Sequence, residues 1–209
     1  MSSNNQNYWN EFYSNSQKMG PPSQFASFVL NEFFHYKNIV DIGCGNGRDA
    51  FFFNQYQKKV LGVDGSNKAI ELNSKVAKDN INFKLFSFSK SKKISELAEY
   101  INQYYPNAII YSRFFLHALT NDELDIFFDF LELLAFENNP ICIEYRTIKD
   151  STIKKHINNH FRNYLNPIDI EKKINLKKLK SIYFHEGTGL AKYKNEDAYV
   201  ARHIILKQP

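Results

Sequence analysis

The sequence predicts a three-layer α/β fold, with helices on both faces of a mostly parallel, seven-stranded sheet that ends in an antiparallel hairpin. Three observations lead there. Five short apolar runs alternate with helix-like stretches between residues 38 and 143. The first run breaks into three glycines at alternate positions, Gly43, Gly45 and Gly47. The last two runs, Ile182–Phe184 and Tyr199–Leu206, follow one another with no helix between them, as a hairpin requires. A chain of 209 residues suits one domain with a sizeable core, and it carries neither an internal repeat nor a linker.

Residues 1–7 are expected to be disordered. Tyr8-Trp9-Asn10-Glu11-Phe12-Tyr13 is aromatic and helix-compatible, and Met19–Phe25 is a turn in which Ser23 can cap a helix from Gln24 to Phe34. Ile39, Val40 and Ile42 then read as a short buried strand, and Asp49–Tyr56 as a helix. Strand, glycine turn and helix in succession let a backbone approach a ligand closely, because a Cβ at the glycines would obstruct ligand or packing. A second strand, Val60–Val63, ends in Asp64, 17 residues after Gly47. An acid there can accept two hydrogen bonds from a ribose diol.

Ser66 opens a helix to about Lys78, with Ala69, Ile70, Leu72 and Val76 towards the core. Ile81–Phe88 alternates as a strand, Ile81, Phe83 and Leu85 opposing Asn82 and Lys84. Ser95–Tyr105 is the next helix, closed by Pro106. Ala108–Tyr111 is the fourth strand and runs into Ser112-Arg113-Phe114-Phe115-Leu116-His117-Ala118, beyond the carboxyl end where ligands bind in such sheets. Thr120-x-x-Glu123 is a capping box for a helix to about Phe136. Pro140–Ile143 is the fifth strand, with Glu144-Tyr145-Arg146 at its end. Ser151–Leu179 reads as helical with a break at Asn166-Pro167, and the connection Glu186–Tyr193 is long for a hairpin.

Asp41-Ile-Gly43-Cys-Gly45-Asn-Gly47, followed by Val63-Asp64-Gly65-Ser66, resembles the cofactor core of class I S-adenosylmethionine-dependent methyltransferases. It departs from a dinucleotide fingerprint in its G-x-G-x-G spacing and in Asp41, two residues ahead of the first glycine. Asp41 would serve a pyrophosphate poorly and a sulfonium and amino group well. The resemblance covers residues 38–146 and implies a Rossmann-like methyltransferase fold, S-adenosyl-L-methionine as donor and S-adenosyl-L-homocysteine as product. Carried onto this chain, the cofactor residues are Asp41, Gly43, Gly45, Gly47, Arg48, Asp64, Gly65, Ser66, Ser87, Phe88 and Ser112. Ser87 stands where the family usually has an acid for the adenine amino group; its hydroxyl can still bond that group, and Phe88 can sandwich the ring.

In related enzymes a leading aromatic segment folds over cofactor or acceptor, which makes residues 1–34 a lid and Tyr8, Trp9 and Tyr13 its contacts; a hydrophobic flap on the sheet edge is the other reading. Residues 147–209 would then supply acceptor-side helices and the hairpin. Pro22-Ser-Gln-Phe-Ala26, Arg113–Ala118, Glu144-Tyr-Arg146, His160-x-Arg162 and Gly189–Arg202 resemble small methyltransferases of bacterial capsule and lipopolysaccharide biosynthesis clusters. That likeness implies a small-molecule or glycan-precursor acceptor, methylated on an oxygen of a sugar or of a phosphate or phosphoramidate substituent.

Methyl transfer from a sulfonium is an in-line displacement, so positioning is the main task. His117 is the candidate base, since its pKa lies near working pH; its alternative role is a bond to backbone. Arg113 is the second catalytic candidate. Arg113, Arg146, His160 and Arg162 together can clamp a phosphate or carboxylate. Arg146 puts a cation where metal-dependent relatives place ligands, so no metal is expected.

The net charge of +5 is uneven: Lys149–Lys180 holds nine Lys and Arg against three acids. A nucleic-acid surface is one reading; we favour a solvated Lys-rich face. The Asn/Asp-Pro-Pro-Tyr signature of base-amino methylation is absent, Ser112-Arg-Phe-Phe115 standing in its place. A nucleic-acid methyltransferase and a non-catalytic binding module remain as alternatives. Only Cys44 and Cys142 occur, without metal-ligand spacing, so reduced thiols are expected. No run is long enough to span a bilayer and the N-terminus lacks a signal peptide's apolar region, which points to the cytoplasm.

Overall fold

The computed structural model describes residues 3–15, 19–89, 93–134, 139–153 and 161–208. Two helices, α1 (Ser3–Asn15) and α2 (Gln24–Glu32), precede the alternating unit. That unit comprises β1 (Asn38–Ile42), α3 (Arg48–Gln55), β2 (Lys59–Asp64), α4 (Asn67–Val76), β3 (Ile81–Leu85), α5 (Ile94–Tyr104), β4 (Ile109–Arg113), α6 (Asn121–Leu134) and β5 (Ile141–Arg146). The chain closes with α7 (Pro167–Leu176), β6 (Leu179–Gly187), a small ribbon of β7 (Lys192–Tyr193) and β8 (Glu196–Asp197), and β9 (Val200–Lys207).

The seven-stranded sheet has the order β3-β2-β1-β4-β5-β9-β6. β1 to β5 pair in parallel, and β9 runs antiparallel to both β5 and β6. Strand order reverses between β1 and β4, which opens a crevice at their carboxyl ends. Side-chain alternation divides the core. Val40, Ile42, Leu61, Val63 and Ile110 face α5, α6 and α7, while Ile39, Val60, Ile109 and Tyr111 face α2 and α3. Asp41 shares a face with Ile39 by that period, so it turns towards the α2 and α3 side.

The helix starts follow local chemistry. Ser23 Oγ accepts from the Ala26 amide at 2.9 Å, and Ser66 Oγ from Ala69 at 3.2 Å. The predicted capping box forms in both directions, Thr120 N to Glu123 Oε2 at 3.0 Å and Glu123 N to Thr120 Oγ1 at 3.4 Å.

Several expectations are corrected. Residues 3–7 are helical, because α1 extends upstream of its aromatic face, where Trp9 meets Tyr8, Phe12 and Tyr13. In α4, Leu72 and Val76 are exposed and Asn73 is buried; its Nδ2 donates to Gly45 O at 2.8 Å, so the glycine turn claims the inward position. Leu85 is also exposed. Residues 161–166 are extended: Ile148 N donates to Leu165 O at 3.0 Å, and Leu165 N to Arg146 O at 3.3 Å. Asn166-Pro167 therefore starts α7, with Asn166 Oδ1 accepting from Ile168 N. The long hairpin connection contains the β7–β8 ribbon.

The basic stretch is answered from across the interface. Lys173 pairs with Asp125, and Lys177 with Asp129 and Glu132, all three acids on α6. Lys172 pairs with Asp169 at 3.0 Å. These contacts fit the solvated-face reading.

Because the capping box satisfies two amides at the start of α6, Thr120→Ala is expected to cost about 1 kcal/mol. For a chain of this size that lowers Tm by about 2–4 °C; an unchanged thermal transition would contradict the assignment.

Candidate active site

The β1 strand ends where Gly43, Gly45 and Gly47 take φ of +77°, +53° and +76°. Such angles suit glycine, and the close contacts explain what the missing Cβ atoms make room for. A Cβ on Gly43 would lie 2.4 Å from the Phe115 ring, and one on Gly45 would lie 2.5 Å from the Tyr13 hydroxyl. Gly43 N and Cys44 N both donate to Val63 O, at 2.7 and 3.1 Å, folding the turn against β2.

At the β2 tip, Asp64 accepts from Gly45 N at 2.9 Å and from Ser66 N at 2.7 Å. Burial pushes its carboxyl up, and the amides of Ser66, Gly45 and Gly65 pull it only partly back. Ser66 Oγ donates to Asn10 Oδ1 at 2.7 Å, and Lys68 N reaches the same oxygen at 3.3 Å. Helix α1 is thereby seated over the second strand tip.

A cavity of about 340 Å³ lies at the tips of β1, β4 and β5. Trp9, Phe12 and Tyr13 of α1 form one wall; Ala191, just ahead of the β7–β8 ribbon, and Tyr193 and Glu196 within it form another. Asp41, Arg48, Asp49, Arg113, His117, Arg146 and Arg162 supply its charged and titratable lining.

The charges differ in how they are answered. Asp49 accepts from Ser23 N at 2.8 Å, Ser23 Oγ at 2.7 Å, Tyr111 Oη at 2.7 Å and Arg48 Nε at 3.3 Å. Burial raises its pKa, but Arg48, Arg113 and the Ser23 bonds outweigh it, and the net shift is downward. Asp41 accepts no hydrogen bond among the described residues and is only 3 % exposed. Burial, then the neighbouring Asp49 and Asp64, push its carboxyl well above the usual range, against the pull of Arg48 and Arg113.

Arg113 donates through Nε to Glu144 at 2.8 Å, and Arg202 Nε donates to the other Glu144 oxygen at 2.6 Å. Arg146 gives Nη1 to Asp150 at 2.7 Å and Nη2 to Glu196. Phe114 sits between these cations, with Arg113 Cζ 4.0 Å and Arg146 Cζ 4.9 Å from its ring centroid. Its φ of +56° is strained for a non-glycine residue.

Some sequence-predicted residues stand elsewhere. Ser112 donates to Ile42 O at 2.9 Å and is fully buried, tying β4 to β1 instead of facing the cavity. Phe88 packs on Phe115, Phe127 and Phe130 in the core, so its ring has no face for an adenine. Arg146 holds two carboxylates and is a strut of the ribbon more than an anion clamp. His117 lines the cavity, and its Nδ1 accepts from the Arg146 amide at 3.4 Å, a bond to backbone. Tyr8 stacks on Phe12 and meets Trp9 edge-on, outside the cavity lining. Ser87 Oγ meets Ser89 Oγ at 3.1 Å, and Gly65, like Ser66, is buried beside Asp64. His160 lies outside the described residues.

Sequence reasoning missed Asp49, Tyr111, Asn73, Phe114, Tyr193 and Glu196. Two signals were available. Asp49 is an acid in the first turn of the helix after the glycines, and Asn73 follows Ala69 by four residues at a core-facing position.

The donor set fits S-adenosylmethionine: a buried, unanswered carboxylate for a cation and a second acid in the adjacent strand tip. A family model described as a methyltransferase domain matches residues 35–167. A probable S-adenosylmethionine-dependent methyltransferase, CRG1 of Saccharomyces cerevisiae, is 32% identical over 76 residues, 34% of this chain and 24% of the yeast protein. The chain thus matches about a quarter of that relative's length. An S-adenosylmethionine-dependent methyltransferase from Anabaena variabilis superposes with a TM-score of 0.72 at 19% identity, covering 98% of this chain and 93% of that one. The 1,6-didemethyltoxoflavin-N1-methyltransferase of Burkholderia thailandensis, solved with S-adenosylhomocysteine, gives 0.61 at 11% identity over 99% and 85%. These two likenesses show the fold, and the family match shows the family: this chain belongs to the methyltransferase-domain family.

Proposed function

We infer that the chain methylates an oxygen of a small acceptor, a sugar or a phosphate or phosphoramidate substituent of a glycan precursor, as in bacterial surface polysaccharide assembly. The observation that carries this is the cavity itself, where the unanswered Asp41 stands beside an aromatic wall and several guanidiniums. The donor supplies an electrophilic methyl group on a cationic sulfur. Asp41 would neutralise the cationic end of that donor, and Asp64 would accept from its ribose. Gly43, Gly45 and Gly47 would shape the turn around it, with Arg48, Gly65, Ser66 and Ser87 flanking.

Residues 1–34 act as the lid in this reading, 38–146 as the cofactor core and 147–209 as the acceptor side. Trp9, Tyr13 and Arg162 line the acceptor cavity, and Arg113 and His117 meet the reacting group. The α6 carboxylates that pair the α7 lysines weigh against a nucleic-acid acceptor. Arg113 and His117 at the cavity weigh against a purely structural module. Cys44 and Cys142 are buried free thiols, and among the described residues no helix is long and apolar enough to cross a membrane, which supports a cytoplasmic setting.

Replacing Asp41 by Asn is expected to weaken S-adenosylmethionine binding by about ten- to a hundredfold, the scale of a charge-assisted bond. The same change should raise Tm at neutral pH. A carboxyl whose folded pKa is raised loses stability as pH climbs from its unfolded value of about 3.9 towards the folded one. The gap between Asp41→Asn and wild type should therefore close below about pH 4. Unaltered affinity by calorimetry, or a stability gap independent of pH, would contradict the role.

Asn10→Ala removes the seat of α1 on Ser66 and Lys68. S-adenosylhomocysteine should then dissociate about two- to tenfold faster in stopped-flow displacement, the equivalent of one lost hydrogen bond. An unchanged rate would mean that α1 does not cover the nucleoside.

A further inference from the structure

The Tyr13 hydroxyl bears on how the donor is told from its product, given the methyl-transfer reading above. Its ring is fixed by its neighbours on α1. Trp9 stacks on it, with centroids 5.8 Å apart and planes at 24°, and Phe12 meets it edge-on at 5.2 Å. One turn earlier, Asn10 accepts from Ser66 Oγ and Lys68 N. The helix face that carries Asn10 and Tyr13 therefore lies over the start of α4 and the glycine turn.

The phenol oxygen itself rests against Gly45. A Cβ on that glycine would come within 2.5 Å of Tyr13 Oη and 3.1 Å of its Cζ, so a bare backbone is what admits the hydroxyl. Gly45 N donates to Asp64, and Tyr13, Asp41, Gly43 and Gly45 line the cavity together. No hydrogen bond engages Tyr13 Oη among the described residues. Burial, and after it Asp64, Cys44 and Asp41, push the phenol well above its usual range, so it is a neutral dipole at neutral pH.

The covalent order of the donor decides what faces that dipole. In S-adenosylmethionine the sulfur joins the ribose to the amino-acid chain. With the ribose on Asp64 and the cationic amino group on Asp41, the sulfonium and its methyl group would fall between the two carboxylates. Tyr13 feels the charge of both. A phenol oxygen turned to a sulfonium meets positive charge spread over the methyl hydrogens, a contact of the C–H···O kind. S-adenosylhomocysteine carries a neutral thioether at that place and offers the oxygen nothing comparable.

We propose that Tyr13 reads the charge on the donor's sulfur: its hydroxyl oxygen, set against Gly45 beside Asp41 and Asp64, favours the sulfonium donor over the thioether product. Tyr13 is then a specificity residue of the donor site, placed where that site borders the acceptor.

Calorimetric titration of the full chain and of Tyr13→Phe at pH 7.5 tests this, with S-adenosylmethionine, S-adenosylhomocysteine and sinefungin as ligands. In sinefungin a carbon bearing an ammonium replaces the sulfonium, so an N–H can donate to the phenol oxygen. Tyr13→Phe removes that oxygen alone and keeps the ring against Trp9 and Phe12. It should weaken S-adenosylmethionine about two- to fivefold, the scale of a C–H···O contact. Sinefungin should weaken about tenfold or more, the scale of a hydrogen bond to a charged group. S-adenosylhomocysteine should change by less than about twofold, and its binding reports that the variant is folded. A parallel loss for all three ligands would make Tyr13 a packing residue and overturn the proposal, and so would three unchanged affinities. If the wild-type chain binds none of the three, the methyl-transfer reading itself fails and takes the proposal with it.

Discussion

The Asp64 carboxylate accepts the amides of Gly45 at 2.9 Å and Ser66 at 2.7 Å, and these bonds fix the tips of β1 and β2 as one unit. Asn73 closes the same turn from α4 through Gly45 O. With the turn held, Phe115 and Tyr13 can lie against glycines that have no Cβ to repel them. The position of Asp41 follows from this frame: it is buried at the strand end, on the α2 and α3 face, with two other carboxylates nearby and no hydrogen bond among the described residues. An isolated fold gains nothing from such a charge. A cationic ligand would remove the penalty, and on the proposed reading the cost in the free protein and the selectivity for the donor would have one origin.

On the acceptor side the same logic is inverted. Glu144 is fully buried between Arg113 and Arg202, and Arg146 lies between Asp150 and Glu196. Buried ion pairs contribute little net stability once desolvation is counted, so their consequence here is geometric. Arg202 also holds Leu190 O, and Gln24 bonds both Gly189 O and Lys192 N, so the ribbon that walls the cavity is fastened to α2, β5 and β9. Arg113, held through Nε, lines the cavity beside this scaffold.

The strand sequence and the G-x-G-x-G turn were readable because apolar periodicity, glycine spacing and the capping box are local properties. The seven strands stand where that alternation places them. What could not be read depends on contacts between distant residues. The period in α4 points Leu72 and Val76 inward, but the carbonyl of Gly45 selects Asn73 for the buried face. Phe88 reads as a ring at a strand tip, yet three phenylalanines of the core surround it. His117 has the residue type of a base, while the amide that faces its Nδ1 lies 29 positions away in sequence. The roles of Glu196 and Tyr193 required knowing that the long hairpin connection folds back as a ribbon.

The central claim is that the cavity beside the β1 glycine turn holds the donor, with α1 closing over it. Hydrogen exchange of the full chain with and without S-adenosylhomocysteine tests it most directly. The account predicts added protection of the amides of Gly43–Gly47, of Asp64–Lys68 and of α1, with β6 and α7 unchanged. Protection confined to the α6–α7 side, or absent from Gly45 and Ser66, would contradict it.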